Sequence, residues 1–373
     1  MSRPDRRILV TGGGGFIGGR LVEVLHQLPG WEVRAGVRRW NSAARIGRLP
    51  VEIVLCDVTN RAQVFSATEG VWGVIHCATG GRRAAVDGIR NVLDAARQFG
   101  VERLVYFSTI DVYGDAEGEV DEAWPLVQLG RDYGDSKVES ERLCFEYAAK
   151  GLPAVVLRPS LLYGPFSRNW TIEIAERLVT GGRFPSSQEA SGLCNLVYVD
   201  DVVQVTLLAL QRKEGIGEAF NVNGLERITW AQYLEAFRVA LGLPEPVSDG
   251  RWLTKLRSLV MTPVRNTAKW TLNRFEAPIT TLYKRSPMVK RVMRGMESAI
   301  RLTPTRAEYR LLKRQVFFPT EKARQFLGYE SKYSMNRGMA LTVGWLQHHG
   351  FLGEPEAGMP NATVSVERSE LVQ

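Results

Sequence analysis

The stretch that most restricts the fold lies near the start of the chain, where "ILVTGGGGFIGGRLVEVL" joins an apolar strand to an amphipathic helix through glycines. Gly12, Gly15 and Gly18 follow a G-x-x-G-x-x-G spacing. Without side chains, such a turn lets backbone N–H groups approach a pyrophosphate, and the N-terminus of a helix favours that anion. A plain tight turn also uses glycines, so the position between a strand and a helix is what favours phosphate binding.

The same alternation of strands and helices continues along the chain. Five further apolar runs are interpreted as strands: WEVRAGV, VEIVLCDV, GVIHCAT, RLVYFST and LPAVVLRPS. The fourth strand is followed by a helix with the sequence AAVDGIRNVLDAARQFG. Continuous apolar runs are typical of parallel strands covered on both faces. The pattern predicts an α/β fold with a doubly wound parallel (Rossmann) sheet, whose cofactor site lies beyond the C-terminal ends of the strands.

The 373 residues leave room for more than this sheet. We expect four parts: an NAD(P)-binding core over 1–165 with a strand and helix returning near 195–211, a smaller C-terminal substrate lobe over 166–250 and 315–353, a basic helical insertion over 251–314, and a disordered tail over 354–373.

Seven motifs stand in order over roughly the first 240 residues. They are "TGGGGFIG", "CDV" at 56–58, "HCAT" at 76–79, "YFSTIDVYG" at 106–114, "YGDSK" at 133–137, "RPSLLYGP" at 158–165 and "YVDDV" at 198–202. The chain therefore resembles the extended short-chain dehydrogenase/reductase superfamily, which includes nucleotide-sugar epimerases, dehydratases and 3β-hydroxysteroid dehydrogenases. The resemblance implies an enzyme with a nicotinamide cofactor.

The resemblance also implies a catalytic trio of Thr109, Tyr133 and Lys137. A tyrosine hydroxyl ionises near pH ~10, and a lysine one helical turn onward favours the phenolate by its charge. Tyr133 would transfer the proton, and Thr109 would position the carbonyl or alcohol. Lys137 would adjust the pKa of Tyr133 and hold the ribose of the cofactor. A second Tyr-x-x-x-Lys, Tyr309 to Lys313, lacks the surrounding motifs and is interpreted as a solvated basic helix.

Cofactor contacts are implied for a larger set of residues. They are Gly12, Gly15, Phe16, Ile17, Gly18, Arg38, Arg39, Asp57, Val58, Cys77, Ala78, Thr79, Tyr133, Lys137 and Pro159. NAD-preferring relatives place an acidic residue at the end of the second strand, where this chain has Val37 followed by two arginines. Arg38 and Arg39 could pair with a 2′-phosphate, so NADP is preferred and NAD stays open. Asp57 is expected to face the adenine.

The substrate is less well defined by the sequence. Asp111, Tyr163 and Asn195 are candidates for the substrate pocket, with a capping or solvent-facing role favoured over acid/base work for Asp111. Cys194 stands where nucleotide-sugar epimerases usually carry a diphosphate-binding arginine. The stretch 217–244 resembles a substrate-lobe helix, and 316–352 resembles the end of the hydroxysteroid dehydrogenase branch. No cysteine or histidine cluster suggests a metal site.

Three functions follow from these observations. The first is an NAD(P)-dependent oxidoreductase that interconverts a secondary alcohol and a ketone on a bulky substrate. The second is a nucleotide-sugar epimerase or dehydratase with tightly bound NAD. The third is a non-catalytic NADP-binding regulator, against which the retained Thr109, Tyr133 and Lys137 argue.

Positive charge is concentrated in one part of the chain. Residues 251–314 hold 16 Lys/Arg and 3 Asp/Glu, whereas the whole chain has a net charge of +8. Interleaved Trp, Leu and Met favour amphipathic helices that either bind an anionic membrane or pack as a cap over the substrate lobe. No nucleic-acid motif accompanies the segment, so nucleic acid is not expected as a partner. Because the sequence shows no signal peptide and no long apolar run, we expect a cytoplasmic protein. If the helices bind lipid, the protein would be peripheral on the inner face of a membrane. A homodimer is an open alternative.

Overall fold

The computed structural model describes residues 6–179, 185–245 and 306–351. The chain divides into two compact units. Of the described residues, the first unit contains 6–167, 195–227 and 316–335, and the second contains 168–179, 185–194, 228–245, 306–315 and 336–351. The domain limits expected from the sequence stay predictions.

The first unit is built on a parallel sheet of seven strands. Along the chain these strands are β1 (Arg6–Thr11), β2 (Trp31–Val37), β3 (Glu52–Leu55), β4 (Gly73–His76), β5 (Arg103–Phe107), β7 (Ala154–Pro159) and β11 (Ala219–Val222). Their spatial order is β11-β7-β5-β4-β1-β2-β3. The order reverses between β1 and β4, which is where a doubly wound sheet opens a crevice at its C-terminal edge. The predicted doubly wound parallel sheet is confirmed.

The remaining elements are helices and short strands. The helices are α1 (Phe16–Leu25), α2 (Arg61–Thr68), α3 (Arg82–Gln98), α4 (Asp132–Ala148), α5 (Glu173–Val179), α6 (Val199–Gln211), α7 (Trp230–Ala240), α8 (Arg306–Lys313), α9 (Glu321–Leu327) and α10 (Met335–His348). The short strands are β6 (Gly118–Glu119), β8 (Leu161–Tyr163), β9 (Leu193–Cys194), β10 (Leu196–Tyr198), β12 (Ile228–Thr229) and β13 (Val316–Phe317).

Both faces of the seven-stranded sheet are covered. Alternate residues of each strand point to opposite faces, so Ile8 and Val10 of β1 join one core and Leu9 joins the other. The first core packs against α1, α6 and α9, and the second packs against α2, α3 and α4. Continuous apolar strands are therefore required here, as the sequence indicated.

The edge strand β11 was not predicted. The stretch 217–244 was expected to be a substrate-lobe helix, but only α7 within it is helical. Ala219–Val222 instead pairs with β7 at the edge of the main sheet. Asn221 interrupts the apolar run and hides the strand in the sequence. Its side chain is fully buried and satisfied, since it accepts a hydrogen bond from the Tyr113 hydroxyl and donates one to the Val120 carbonyl oxygen.

The second unit is smaller and has an aromatic centre. Trp170 and Trp230 lie with ring centroids 5.4 Å apart, and the Tyr233 hydroxyl donates to the Trp170 carbonyl oxygen at 2.5 Å. Helix α7 starts with a capping box, in which Thr229 and Gln232 exchange hydrogen bonds between side chain and backbone. The short strands β9 and β12 pair antiparallel in this unit.

Most of the basic insertion lies outside the described residues, and so does the tail 354–373. The described part of the insertion, 306–314, contains α8 with Tyr309 and Lys313. Within the described ranges, no helix has the length and apolar character that crossing a membrane requires.

Candidate active site

The glycine turn lies at the C-terminal edge of the sheet, between β1 and α1. Gly12 has a positive φ of +67°, and a Cβ on Gly18 would lie 2.3 Å from the Gly12 carbonyl oxygen. A Cβ on Gly14 would lie 1.8 Å from the Ser42 carbonyl oxygen, so the turn requires glycine at these places. Helix α1 has no acidic residue in its first turn and no side-chain cap. This N-terminus therefore fits a phosphate-bearing cofactor.

Two arginines follow the neighbouring strand at the same edge. Arg38 and Arg39 come directly after β2 and are exposed. The parallel pairing of β2 with β3 brings Asp57, which follows β3, to the same end of the sheet. Asp57 accepts hydrogen bonds from the Thr59 backbone N–H and hydroxyl. These bonds hold the pKa of Asp57 below its usual range, and the charges of Arg38 and Arg39 lower it further.

The segment after β4 approaches the glycine turn. The backbone N–H of Cys77 donates to the Thr11 carbonyl oxygen at 3.2 Å, and that of Ala78 donates to Thr11 Oγ1 at 3.4 Å. A Cβ on Gly12 would lie 2.9 Å from the Ala78 backbone. Thr79 is exposed. The structure thus brings Cys77 and Ala78 against the turn, as their expected cofactor contacts require.

Two other predicted cofactor residues lie at strand ends. Val58 follows β3 and is buried, and a Cβ on Gly88 of α3 would lie 2.7 Å from its side chain. Pro159 is buried at the end of β7. Both therefore lie at the C-terminal side of the sheet, where the crevice opens.

The three residues of the expected catalytic trio belong to two neighbouring elements. Thr109 comes two residues after β5, and its hydroxyl caps a short 3-10 helix by accepting from the Asp111 backbone N–H. Tyr133 and Lys137 lie one turn apart at the start of α4. Lys137 is buried and its ammonium donates to the Phe107 carbonyl oxygen at 2.6 Å. Tyr133, by contrast, is 47% exposed.

The electrostatic environments of Tyr133 and Lys137 differ. Although Tyr133 is 47% exposed overall, desolvation of its phenol raises the pKa to about 12. The Asp111 carboxylate contributes to this rise and hydrogen bonding with Thr109 acts against it, whereas the lowering of the pKa expected from Lys137 is not found. Burial lowers the pKa of Lys137 to about 8. At neutral pH the phenol is protonated and the ammonium is mostly charged, an arrangement suited to giving a proton to a carbonyl oxygen.

A cavity of about 160 Å³ opens beside Tyr133. It is lined by Asp111, Gly114, Val127, Leu129, Arg131, Tyr133, Gly134 and Asp135. Of these, only Asp111 and Tyr133 were expected from the sequence as site residues. Gly114, Gly134 and Asp135 belong to the motifs at 106–114 and 133–137. Val127, Leu129 and Arg131 lie in the loop between these motifs, and that position is the signal that could have found them.

The loop that forms this wall is held by specific contacts. Gly114 has a φ of +62°, and a Cβ there would lie 2.4 Å from the Val127 side chain. The Leu129 backbone N–H donates to the Asp135 carboxylate at 2.8 Å. Arg131 forms an ion pair with Asp115 at 2.6 Å. The wall therefore presents apolar Val127 and Leu129 beside a paired, exposed arginine.

The two remaining pocket candidates lie elsewhere in the first unit. Tyr163 is buried in β8 and packs edge-on against Tyr198 with ring centroids 5.4 Å apart. Asn195 donates from Nδ2 to the Val316 carbonyl oxygen, and its Oδ1 accepts from Asn223 Nδ2. Neither residue lines the cavity at Tyr133. Their roles in a substrate pocket stay predictions.

A buried polar network lies behind the trio. Glu141, one turn after Lys137, accepts from Arg158 of β7, and Arg158 also donates to the Tyr113 hydroxyl. The Tyr113 hydroxyl in turn donates to Asn221 of β11. This network joins α4 to two strands of the sheet and fixes the helix that carries Tyr133 and Lys137.

Comparisons with known proteins agree with this architecture. Residues 8–223 match the NAD dependent epimerase/dehydratase family. Sterol demethylase protein B of Methylococcus capsulatus is 31% identical over 64% of this chain and 75% of its own length. The 3beta-hydroxysteroid-dehydrogenase/decarboxylase isoform 1 of Arabidopsis thaliana is 25% identical over 95% of this chain and 83% of its own.

Solved structures resemble the chain in fold. UDP-glucuronic acid 4-epimerase from Bacillus cereus, solved in complex with NAD, superimposes with a TM-score of 0.68 at 18% identity. The match covers 92% of this chain and 99% of the epimerase.

Proposed function

The chain belongs to the NAD dependent epimerase/dehydratase family, within the extended short-chain dehydrogenases/reductases, and from that premise we propose that it interconverts a secondary alcohol and a ketone on a bulky substrate. The family membership makes the protein an enzyme of this type. The observation that carries the proposal is the position of Thr109, Tyr133 and Lys137 at the same sheet edge as the glycine turn.

Each side chain of the trio has a distinct role in the proposed reaction. The Tyr133 hydroxyl gives a proton to the substrate oxygen during reduction and takes it back during oxidation. The Thr109 hydroxyl orients that oxygen. The Lys137 ammonium holds the ribose of the cofactor. The bound nicotinamide supplies the hydride, which no side chain can provide.

NADP is the proposed cofactor, with NAD as the alternative. The two exposed arginines after β2 support NADP, because a guanidinium can make bidentate hydrogen bonds to a 2′-phosphate. The charges of Arg38 and Arg39 lower the pKa of Asp57, so both arginines act electrostatically at this end of the crevice. The similarity to an epimerase solved with NAD supports the alternative.

A bulky and partly apolar substrate is proposed for the cavity beside Tyr133. Val127 and Leu129 supply apolar surface there, and the charge of Arg131 is paired with that of Asp115. Cys194, in the place where epimerases carry a diphosphate-binding arginine, is a buried thiol. The relatives named for a sterol and a hydroxysteroid support a substrate of this class.

A nucleotide-sugar epimerase or dehydratase with tightly bound NAD is the second candidate. The observation that favours it is Asp111, whose carboxylate lies near enough to Tyr133 to raise the pKa of the phenol. A second acid/base group at this place would suit elimination or epimerisation better than simple ketone reduction.

Purified protein tests the proposal through its ligands and its spectrum. Native mass spectrometry identifies co-purified cofactor and substrate, and the absorbance at 340 nm is followed with candidate ketones and alcohols. We expect exchangeable NADP(H) and a net absorbance change. Tightly bound NAD together with turnover of a nucleotide sugar and no net absorbance change would overturn the oxidoreductase in favour of the second candidate.

We also propose that 251–314 holds the enzyme at an anionic membrane surface. The support is its composition, 16 basic and 3 acidic residues with interleaved Trp, Leu and Met. A sterol-like substrate would then be taken from the lipid phase.

A further inference from the structure

Lys137 carries its charge inside the protein, at 6% exposure. Its ammonium has three donors, and one of them bonds to the Phe107 carbonyl oxygen at 2.6 Å. Among the described residues, no carboxylate forms an ion pair with it. Glu141 on the next turn of α4 is engaged with Arg158 instead. The position and charge of Lys137 therefore depend on other contacts.

The ring of Tyr106 supplies such a contact. Lys137 Nζ lies 4.9 Å from the centroid of this ring, within the range of a cation–π interaction. Tyr106 is 1% exposed on β5, so the interaction is removed from water. Its hydroxyl lies beside Ser140 without a hydrogen bond of good geometry in the described part of the chain. The ring, and not the hydroxyl, makes the contact that matters here.

The plane of the Tyr106 ring is fixed by His76 of β4. The two rings stack with centroids 5.8 Å apart and an interplanar angle of 19°. His76 Nδ1 is hydrogen-bonded to Thr11 Oγ1 at 2.8 Å, and Thr11 directly precedes the glycine turn. Burial lowers the pKa of His76 to about 3, so the imidazole is neutral and does not repel the ammonium. A continuous set of contacts thus joins the end of β1 to Lys137.

We propose that Tyr106 is a positioning residue whose ring face holds the Lys137 ammonium at the C-terminal end of β5, with His76 fixing the plane of that ring. The proposal rests on the proposed function only for the role of Lys137 in the reaction. The ring replaces the carboxylate that a buried ammonium would otherwise need, and it leaves the ammonium's other N–H donors available to a cofactor.

Other ionisable groups also act on Lys137. Cys77 after β4 and Cys144 and Glu141 on α4 raise its pKa, against the larger lowering by burial. Tyr133 lies one turn before Lys137 on α4. His76 and Tyr106 lie on the sheet side of Lys137. Burial raises the pKa of Tyr106 well above its usual value, so this residue stays neutral throughout the test range.

The direct test follows the side-chain nitrogen of Lys137 by NMR of protein labelled with ¹⁵N-lysine, assigned through Lys137→Arg. Titrations compare the wild type with Tyr106→Phe, which keeps the ring face, and Tyr106→Leu, which removes it. We expect Tyr106→Phe to leave the midpoint unchanged and Tyr106→Leu to lower it by about half to one and a half pH units. A residue with only a packing role would lower the melting temperature without moving the midpoint.

Fluorinated phenylalanines at position 106 provide a second series, because they weaken the negative ring face with little change in shape. The midpoint should fall stepwise with the number of fluorines, and the dissociation constant of the reduced cofactor should rise in the same order. Unchanged midpoints in this series overturn the positioning role, whether or not Tyr106→Leu folds. Shifted midpoints in a protein that binds no nicotinamide cofactor would support the contact and refute the proposed function.

Discussion

Arg158 and Glu141 form an ion pair in the interior of the first unit, with N···O distances down to 2.6 Å and side-chain exposures of 4% and 0%. The pair joins β7 to α4, and Arg158 also donates to the Tyr113 hydroxyl. Since α4 carries Tyr133 and Lys137, this contact ties the catalytic helix to the sheet.

Replacing Arg158 by Met should lower the free energy of unfolding by about 3–5 kcal/mol, because it leaves the buried Glu141 carboxylate without its partner. The double variant Arg158→Met/Glu141→Leu should recover much of that loss, since no charge is left buried. Urea unfolding of the single and double variants measures both effects. A double variant as unstable as Arg158→Met would show that packing, and not charge pairing, dominates at this site.

Tyr133→Phe should reduce turnover by about 10²–10⁴-fold, because the proton donor is lost. Cofactor affinity should stay near the wild-type value, whereas Lys137→Met should damage turnover and cofactor binding together. Steady-state kinetics and fluorescence titration with the reduced cofactor give the two quantities. Tyr147→Phe, at the other end of α4, is the matched control and should retain activity. Substantial activity in Tyr133→Phe would mean that another group donates the proton.

Arg38→Ala should weaken NADP binding by about 1.5–3 kcal/mol, because a charge-assisted hydrogen bond to the 2′-phosphate is removed. NAD affinity should change little, and Arg39→Ala should have a smaller effect. Calorimetric titration of both cofactors separates these cases. Arg97→Ala, near the end of α3, controls for the loss of one positive charge. Equal losses for NADP and NAD would indicate that Arg38 contacts a part shared by both cofactors.

Acid should destabilise the protein through His76. Its pKa is about 3 in the fold against about 6.5 in the unfolded chain, so the unfolded state binds the additional proton. This contribution to stability is complete above about pH 6.5 and is lost as the pH falls from there towards 3, by about 1.4 kcal/mol per pH unit. Urea unfolding at several pH values should show a shallower dependence for His76→Asn than for the wild type.

The intact protein should sediment with vesicles that contain anionic lipid at low salt. Added salt should weaken the binding, because it screens exposed charges beyond about 8 Å at physiological ionic strength. Partial binding should persist at high salt if Trp and Leu of 251–314 enter the interface. Neutral vesicles are the control. Protein that stays in the supernatant with anionic vesicles at low salt would favour the helices as a packed cap and a water-soluble substrate.

Much of the first unit could be predicted because its signals are local. The glycine turn and six of the seven strands follow from spacing and from apolar runs that both sheet faces require. The seventh strand was not predicted because Asn221 interrupts its apolar run. Asn221 forms hydrogen bonds with Tyr113 and Val120, which are distant in the sequence, so no local pattern explains an asparagine at this position.

The candidate site was predicted in part for the same reason. Thr109, Tyr133 and Lys137 stand in motifs, but the wall made by Val127 and Leu129 depends on how a loop folds onto Gly114. The sequence likewise places Lys137 one turn from Tyr133 without showing that the ammonium is buried against Phe107 and Tyr106. Those contacts are tertiary, so no local pattern records them.

The pairing of β13 with β6 affects the order in which contacts of the first unit can form during synthesis. Val316 pairs with Gly118, and Phe318 stacks on Tyr113 with ring centroids 5.7 Å apart. Chains are synthesised from the N-terminus, so the sheet emerges long before the segment that completes the surroundings of Asn195 and Asn223. Until residue 318 has left the ribosome, these two amides lack the carbonyl partners they have in the finished protein. These contacts of Asn195 and Asn223 can therefore form only late in translation, after the basic segment has already been made.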